Sequence, residues 1–413
     1  MKTVSDKEKF IWNMMGSLAN ALSSIILSIC VNRIMGGNSA GIFAFAFANA
    51  QLMMTIGLFE VRIYQASDID EKYSFNDYFT LRLITCAIMI ISSVFYVLIN
   101  GFNPEKSAVI ILLVLFKAVD CFTDVYGGRF QQKDRIDISG KLFFVRVVCS
   151  TLMFIAVLYF TGNLIVASFS MFLKSIMLFF VYDSRFIYKC DKENLALKFN
   201  RVFSIVKEVL PLFIGSFILM YLGNAPKYSI DAIHGDEIQN IYNIIFMPAA
   251  VINLLSIFIF NPLIVKMTSA WRNRDIKKLL RVIFIVYGIL ALATLLAIAA
   301  VWLMGIPILT LLYGVDLKSY RFELVCVMIS GGLCACMTFA SRIVTVIRQQ
   351  KYLLACCSIG FVYAFLCSDA VVSEFGITGA VLSYGISVTI VAVLLNCVAF
   401  ITILRKRNSR DEQ

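Results

Sequence analysis

The chain has 413 residues, 60% of them hydrophobic and only 15% charged, with a mean hydropathy of +0.85. No soluble core of this length uses so much apolar surface, so composition excludes a soluble globular enzyme and predicts an all-α polytopic membrane protein. The net charge of +11 does not point to nucleic acid, because the excess sits in connections between apolar stretches, where anionic lipid headgroups and membrane topology account for it.

A helix needs roughly twenty apolar residues to cross the hydrocarbon layer, and only helices or closed barrels satisfy their backbone there. The apolar stretches are long enough for helices, and twelve transmembrane helices are expected at 10–34, 40–60, 79–99, 107–126, 142–161, 164–183, 208–231, 238–265, 281–304, 321–346, 352–373 and 377–404. The polar tail before Phe10 leads into an apolar run too long for a cleaved signal, so it is expected to remain as the first span. Most of the 37 Lys and Arg fall in the N-tail, every second connection and the C-tail. The other connections hold only Arg33, Lys106, Lys227, Lys318 and Arg321. Basic short loops stay inside, so both termini are expected to be cytoplasmic.

Span four carries the first unusual group. Lys117, Asp120 and Asp124 lie on one stripe at helical spacings, either as a structural ion-pair cluster or as a cavity-lining site. Asp120 and Asp124 are the ion-coupling candidates. Arg146 lies about a turn inside span five, where it either snorkels inward or faces a cavity. Lys174 sits near the middle of span six, too central for easy snorkelling. Ionisable groups at this depth cost several kcal/mol unless they face a partner or a polar cavity. Lys117, Arg146 and Lys174 are therefore the substrate-binding candidates.

The basic connection with Arg185, Lys189, Lys192, Lys198, Arg201 and Lys207 divides the spans six and six, with the two lobes expected at 1–204 and 205–413. An even number of spans lets the second lobe enter the membrane as the first does, the topology of a parallel repeat. A weak internal match fits it: Glu8-Lys9 against Lys207-Glu208, and Gly36-Gly37-Asn38-Ser39 against His234-Gly235-Asp236-Glu237, both about 198 residues apart. Chance similarity remains the alternative. Span seven contains Gly223, Asn224 and Pro226, which either bend it as a gate or end it early. Pro248 in the centre of span eight is a second hinge candidate.

Catalytic parts are scarce. There is no GxxxxGK[ST] phosphate loop and no HExxH, the single His234 falls on a connection, and the twelve Cys form no CxxC pair. No cofactor and no metal is expected. Any transport must then draw on an ion gradient, the membrane potential or the substrate gradient.

Phe10-Ile11-Trp12-Asn13 through Gly36-Gly37-Asn38-Ser39-Ala40-Gly41-Ile42-Phe43 resembles the first helical hairpin of Wzx-type polysaccharide flippases, within the MATE-like MOP exporter superfamily. Three further stretches carry the likeness: Arg62-Ile63-Tyr64-Gln65-Ala66-Ser67-Asp68 with Tyr73-Ser74-Phe75 and Tyr78 through Arg82; Asp124-Val125-Tyr126-Gly127-Gly128-Arg129-Phe130-Gln131-Gln132 with Arg135; and Asn224-Ala225-Pro226-Lys227-Tyr228-Ser229-Ile230-Asp231. The resemblance implies two six-helix lobes related by a pseudo-twofold axis. It also implies a carrier in the bacterial inner membrane that moves a lipid-linked oligosaccharide, on undecaprenyl diphosphate, to the outer leaflet for cell-surface polysaccharide such as O-antigen or capsule. Its expected partners are that substrate, membrane lipids, and the polymerase and glycosyltransferases of the pathway; it is expected to act as a monomer without nucleic acid. A cation-coupled multidrug exporter of the same superfamily is the main alternative. A polytopic enzyme of polysaccharide assembly is another, against which the short outer connections speak.

Overall fold

The computed structural model of the protein describes residues 4–68, 71–186 and 195–411. Lys189 and Lys192 of the basic middle connection lie outside the described residues. The order of elements is α1 (Asp6–Met35), α2 (Gly37–Leu58), α3 (Val61–Ser67), α4 (Phe75–Asn100), α5 (Pro104–Gln132), α6 (Ile136–Thr161) and α7 (Leu164–Leu178), which passes into a π-helical turn, Phe179–Asp183. There follow α8 (Val202–Arg272), α9 (Ile276–Ala300) with a second π-helical turn at Val301–Gly305, α10 (Ile306–Tyr313), α11 (Arg321–Val346) and α12 (Gln350–Asp411). The chain forms two compact units, Met1–Met220 and Tyr221–Gln413.

Among the described residues, nine helices are long and apolar enough to cross a membrane. The protein is therefore an all-helical, multi-pass membrane protein. α8 has 71 residues and α12 has 62, so as straight rods they would run to roughly 107 and 93 Å, about three hydrocarbon thicknesses each. Each contains one residue of non-helical backbone, Gly235 in α8 (φ 79°) and Gly376 in α12 (φ 57°). Those are the points at which the chain can turn back. α5 is missing from the nine although it has 29 residues, because Lys117, Asp120, Asp124 and Arg129 interrupt its apolar run.

Local sequence sets the helix ends. Ser74 and Asp77 form a reciprocal capping box at the start of α4, with Ser74 N and Oγ donating to Asp77 Oδ2 at 2.9 and 2.7 Å. Asn103, followed by Pro104 at the first helical position, accepts from Lys106 N at 2.8 Å and opens α5. Asn163 accepts from Ile165 N and Val166 N to open α7. Six connections turn at a glycine of positive φ: Gly36, Gly101, Gly162, Gly235, Gly314 and Gly376. Gly36 (φ 87°, ψ −179°) and Gly235 (φ 79°, ψ −174°) share one backbone conformation closed to other residues.

Four expectations from the sequence are corrected here. Span two does not continue to residue 60: α2 stops at Leu58, Phe59 and Glu60 adopt left-handed backbone, and α3 begins at Val61. Span three starts at Phe75 rather than 79, because the capping box fixes it there, and this moves Arg82 from the first turn to two turns inside the helix. Span seven neither ends nor breaks at Pro226; helical backbone runs through Gly223, Asn224 and Pro226 to the break at Gly235. Membrane helices tolerate proline because neighbouring groups take up the freed carbonyl. Lys227 consequently belongs to a helix and not to a connection. Pro248 lies inside helix, in the span where the sequence places it.

Within the N-terminal unit α2 is buried almost throughout, including every residue from Ala40 to Ala50, as expected for a helix that is apolar all round. α1 and α6 cross backbone to backbone: a Cβ on Gly140 would lie 2.5 Å from the Trp12 carbonyl, and Gly16 faces Gly140. The first turns of α8 also belong to this unit. Ile205 and Val209 pack into an aromatic cluster with Tyr73, Phe75, Tyr78, Phe79 and Tyr126. Glu208 accepts from Lys72 Nζ at 2.7 Å, from Tyr73 Oη at 3.0 Å and from Tyr64 Oη.

The α1–α6 crossing gives a direct test. Gly140→Ala forces two backbones apart and should cost about 1–3 kcal/mol, lowering the thermal unfolding midpoint in detergent. Gly215→Ala, where an added Cβ meets nothing within 4 Å, should leave the midpoint unchanged or raise it slightly.

Candidate functional site: a charged cavity in the N-terminal unit

Breaks and turns of the N-terminal helices bring seven charged side chains together. The stop of α2 at Leu58 leaves its last carbonyls without helical partners. Arg82 of α4, fully buried, donates from Nη1 to Gly57 O at 2.6 Å and to Leu58 O at 2.7 Å, and Thr85 Oγ1 donates to Gly57 O at 2.8 Å. A cation at a helix C-terminus also meets the negative end of the helix dipole. The second nitrogen of Arg82 donates to Asp124 Oδ2 at 2.9 Å. The restart at Val61 carries Arg62 to the other oxygen, Asp124 Oδ1, again at 2.9 Å, and within 3.4 Å of Ser139 Oγ on α6.

One turn further along α5, Asp120 is held in the same manner. It accepts from Arg146 Nε of α6 at 3.0 Å and from Lys117 Nζ at 3.5 Å. Lys117 Nζ also reaches Asn20 Oδ1 of α1 at 3.5 Å and lies 5.0 Å from the centre of the Phe116 ring and 5.4 Å from that of Phe47. Arg146 completes the chain by donating from Nη1 to Asp183 Oδ2 at 2.5 Å. Asp120 lies about 18 Å along the helix axis from Gln132, and Arg146 about 15 Å from Ile136, so these contacts sit well inside the helical layer.

Around this network is a cavity of about 230 Å³, walled by Arg62, Asp120, Asp124, Ser139, Arg146 and Asp183 with Tyr126, Phe130 and Phe143. A second cavity of about 480 Å³, lined by Asn13, Arg62, Ile63, Ala66, Gln131 and Ile136, shares Arg62 with it. Charges of both signs and aromatic rings line the first, which suits a polar ligand.

Of the residues singled out in the sequence, Asp120, Asp124 and Arg146 line this cavity. Lys117, 4% exposed, lies behind Asp120 and is not part of the wall. Although Lys117, Asp120 and Asp124 share a helix stripe, they do not form one cluster: Asp120 pairs with Lys117 and Arg146, Asp124 with Arg62 and Arg82. Lys174 is half-buried on α7, outside the cavity lining, without a hydrogen bond or ion pair among the described residues. The hinge candidates Gly223, Asn224, Pro226 and Pro248 belong to the other unit. There Asp369 accepts from Ser229 Oγ at 2.6 Å, and Lys227 Nζ rests 5.2 Å from the Phe246 ring centre.

The sequence reading missed Arg62, Arg82 and Asp183 as site residues. The signal for Arg82 was present in Ser74-Phe75-Asn76-Asp77, whose capping pattern puts the helix start at 75 and Arg82 two turns inside. Asp183 had no such signal, since it looked like the polar end of a span. Burial along α7 follows Leu164, Ala167, Ser168, Met171 and Ser175, a stripe that regular α-helix would continue to Tyr182. The π-helical turn inserts one residue, and Asp183 takes the inward position.

Comparison with known proteins adds the following. The family described as "Polysaccharide biosynthesis protein" matches residues 7–268. The capsular polysaccharide biosynthesis protein CapF of Staphylococcus aureus is 21% identical over 401 residues, 92% of this chain and 96% of that protein. Among solved structures, a multidrug resistance MATE family transporter of the MOP superfamily in an inward-facing conformation is similar with a TM-score of 0.64 at 14% identity, covering 96% of both chains. A variant of a Vibrio cholerae MATE transporter has a TM-score of 0.62 at 12% identity, covering 98% of this chain and 97% of that one. These structural likenesses give the fold.

Breaking a buried ion pair leaves an uncompensated charge, at a cost of about 3–5 kcal/mol. Asp124→Ala strands the fully buried Arg82 and should sharply reduce the monodisperse fraction surviving a heat challenge. Arg62→Ala should do far less, because its side chain is 29% exposed and water can replace it. Size-exclusion chromatography after heating separates the two outcomes.

Proposed function

The chain belongs to the polysaccharide biosynthesis protein family, and on that premise we propose that it is a flippase for a lipid-linked oligosaccharide. It is a multi-pass protein of the bacterial inner membrane with the fold of MATE transporters. In this reading the cargo is a repeat unit on undecaprenyl diphosphate, carried from the inner to the outer leaflet by alternating access, with no covalent chemistry on the protein's part. In this reading α8 and α12 each make two spans, parted at Gly235 and Gly376, so that the carrier has twelve spans, six to each lobe, and both termini are cytoplasmic as the basic connections suggest. Gly101 and Gly314, and Gly162 and Gly376, recur 213 and 214 residues apart, which supports a parallel repeat of two six-helix lobes.

The observation that carries the proposal is the charge of the cavity network. Arg62, Arg82, Lys117 and Arg146 face three carboxylates, Asp120, Asp124 and Asp183, so the network as a whole holds one more positive than negative charge at membrane depth, with Arg82 and Lys117 standing behind the cavity wall. A diphosphate head is the natural counter-charge, since guanidinium groups bind phosphate in paired, charge-assisted hydrogen bonds. Lys174 offers a further cation without a partner among the described residues. An ion gradient acts in this scheme on the carboxylates, Asp120 and Asp124 among them, by competing with the cations they hold. Gly223, Asn224, Pro226 and Pro248 provide the points at which the helices of the second lobe flex between states. The relative from S. aureus, a capsular polysaccharide biosynthesis protein, supports a cell-surface polysaccharide pathway.

Reconstitution in liposomes with an undecaprenyl-diphosphate oligosaccharide, alongside a panel of cationic drugs, tests the reading. The lipid-linked sugar should cross and the drugs should not; the reverse result would establish a multidrug exporter. Arg146→Gln should weaken capture of the diphosphate lipid about 10- to 100-fold, the worth of a hydrogen bond to a charged group, and Lys174→Ala should act in the same direction. Asp120→Asn should abolish the dependence of turnover on an imposed ion gradient. Unchanged affinity in Arg146→Gln would remove the cavity from substrate binding, and unchanged affinity in Lys174→Ala would remove Lys174 from it.

A further inference from the structure

Asp183 differs from the other two carboxylates of the network. Asp120 and Asp124 each place both oxygens on cations. Asp183 uses only Oδ2, toward Arg146, while its Oδ1 is buried without a hydrogen-bond partner among the described residues. The side chain is 2% exposed and lines the cavity. A buried, unpartnered carboxylate oxygen is costly unless something else binds it. The π-helical turn at Phe179–Asp183 is what aims it there, and such turns concentrate at functional sites.

Arg146 is the group that Asp183 controls. Its Nε is committed to Asp120 and its Nη1 to Asp183, so an incoming phosphate must compete with Asp183 for the guanidinium edge. We propose that Asp183 is a proton-operated lock on Arg146: ionised, it occupies the guanidinium; protonated, it releases that edge to a phosphate-bearing headgroup in the cavity. The proton adds at the carboxylate of Asp183, Oδ1 being the free acceptor. The network then gains one positive charge just as the anion arrives, and Arg146 stays oriented through Asp120. Proton uptake and anion binding are therefore linked with the same sign, each favouring the other. The inference rests on the flippase reading for the identity of the anion.

The charged groups around Asp183 are few. On α6 there is Arg146, on α5 Asp120 and, across the cavity, Asp124, and on α3 Arg62. The start of α8 reaches the neighbouring aromatic cluster through Ile205 and Val209, against which Phe179 and Tyr182 pack, and its carboxylate, Glu208, is taken up by Lys72, Tyr64 and Tyr73. Of the three carboxylates on this wall, Asp183 is the one with an oxygen that has no partner among the described residues.

The test uses the full-length protein in lipid nanodiscs with farnesyl diphosphate as the probe. Wild-type affinity should rise as pH falls, by up to about tenfold per pH unit through the titration of one linked group. Asp183→Asn should bind at the wild-type acid limit and lose that slope, keeping only the change due to the probe's own ionisation. Asp183→Glu, which retains a titrating carboxylate, should keep a slope. Infrared difference spectra of the ligand-free protein should show a protonated-carboxyl band on acidification that is missing in Asp183→Asn. An undiminished slope in a folded Asp183→Asn variant, or an unchanged infrared band, overturns the lock while leaving the flippase reading intact. Failure of the wild type to bind the probe at any pH overturns the diphosphate reading itself, and the infrared band then reports separately whether Asp183 takes up a proton.

Discussion

Four cations and three carboxylates share the interior of the N-terminal unit, and each must find its counter-charge there because neither lipid nor an apolar helix face will solvate it. This requirement ties five helical elements together. Asp124 joins α5 to α3 and α4, Asp120 joins α5 to α6, and Asp183 extends the chain to α7. Lipid-facing leucines and phenylalanines hold the protein in the bilayer but are interchangeable. The polar contacts are not, since each has one geometry that satisfies it, and they set which helix faces which.

The irregularities of the helices serve that requirement. α2 ends early so that Arg82 can cap its free carbonyls, and the left-handed residues Phe59 and Glu60 that follow turn Arg62 toward the same aspartate. The π-helical turn after α7 rotates the stripe by one residue so that a carboxylate, and not Tyr182, meets Arg146. Backbone strain of this kind persists where the surroundings over-determine it; here buried ion pairs and a continuous aromatic cluster do so. The resulting cavity has a wall of opposite charges in near balance, which a small change such as one proton can tip.

Much of this was readable in the chain. Apolar run lengths gave the helical membrane class, and Lys117, Asp120, Asp124 and Arg146 stood out because charge at that depth has no cheap structural explanation. The turns Gly36-Gly37-Asn38-Ser39 and His234-Gly235-Asp236-Glu237 resembled each other weakly in sequence, and the glycines that share a backbone conformation, Gly36 and Gly235, stand one residue out of that alignment. Other features were hidden for physical reasons. Arg62 and Asp183 lie near helix ends, where a sequence cannot distinguish a solvated terminus from a buried one, and Arg82 is signalled only by the capping pattern at Ser74 to Asp77. Gly223 and Pro226 read as a bend or an early helix end because local propensity is weighed without tertiary neighbours; the end is ruled out, since the helix runs on to Gly235.

The sequence alone determined that this is a helical membrane protein with buried charge in its N-terminal half, because hydropathy and charge are properties of residues taken in order. Only the tertiary structure decided which charges neutralise one another, that Lys117 stands behind the wall while Asp183 belongs to it, and that one oxygen of Asp183 is left over. Pairing depends on distances between helices far apart in the chain and on a one-residue shift of register, and neither is written in the spacing of any single segment.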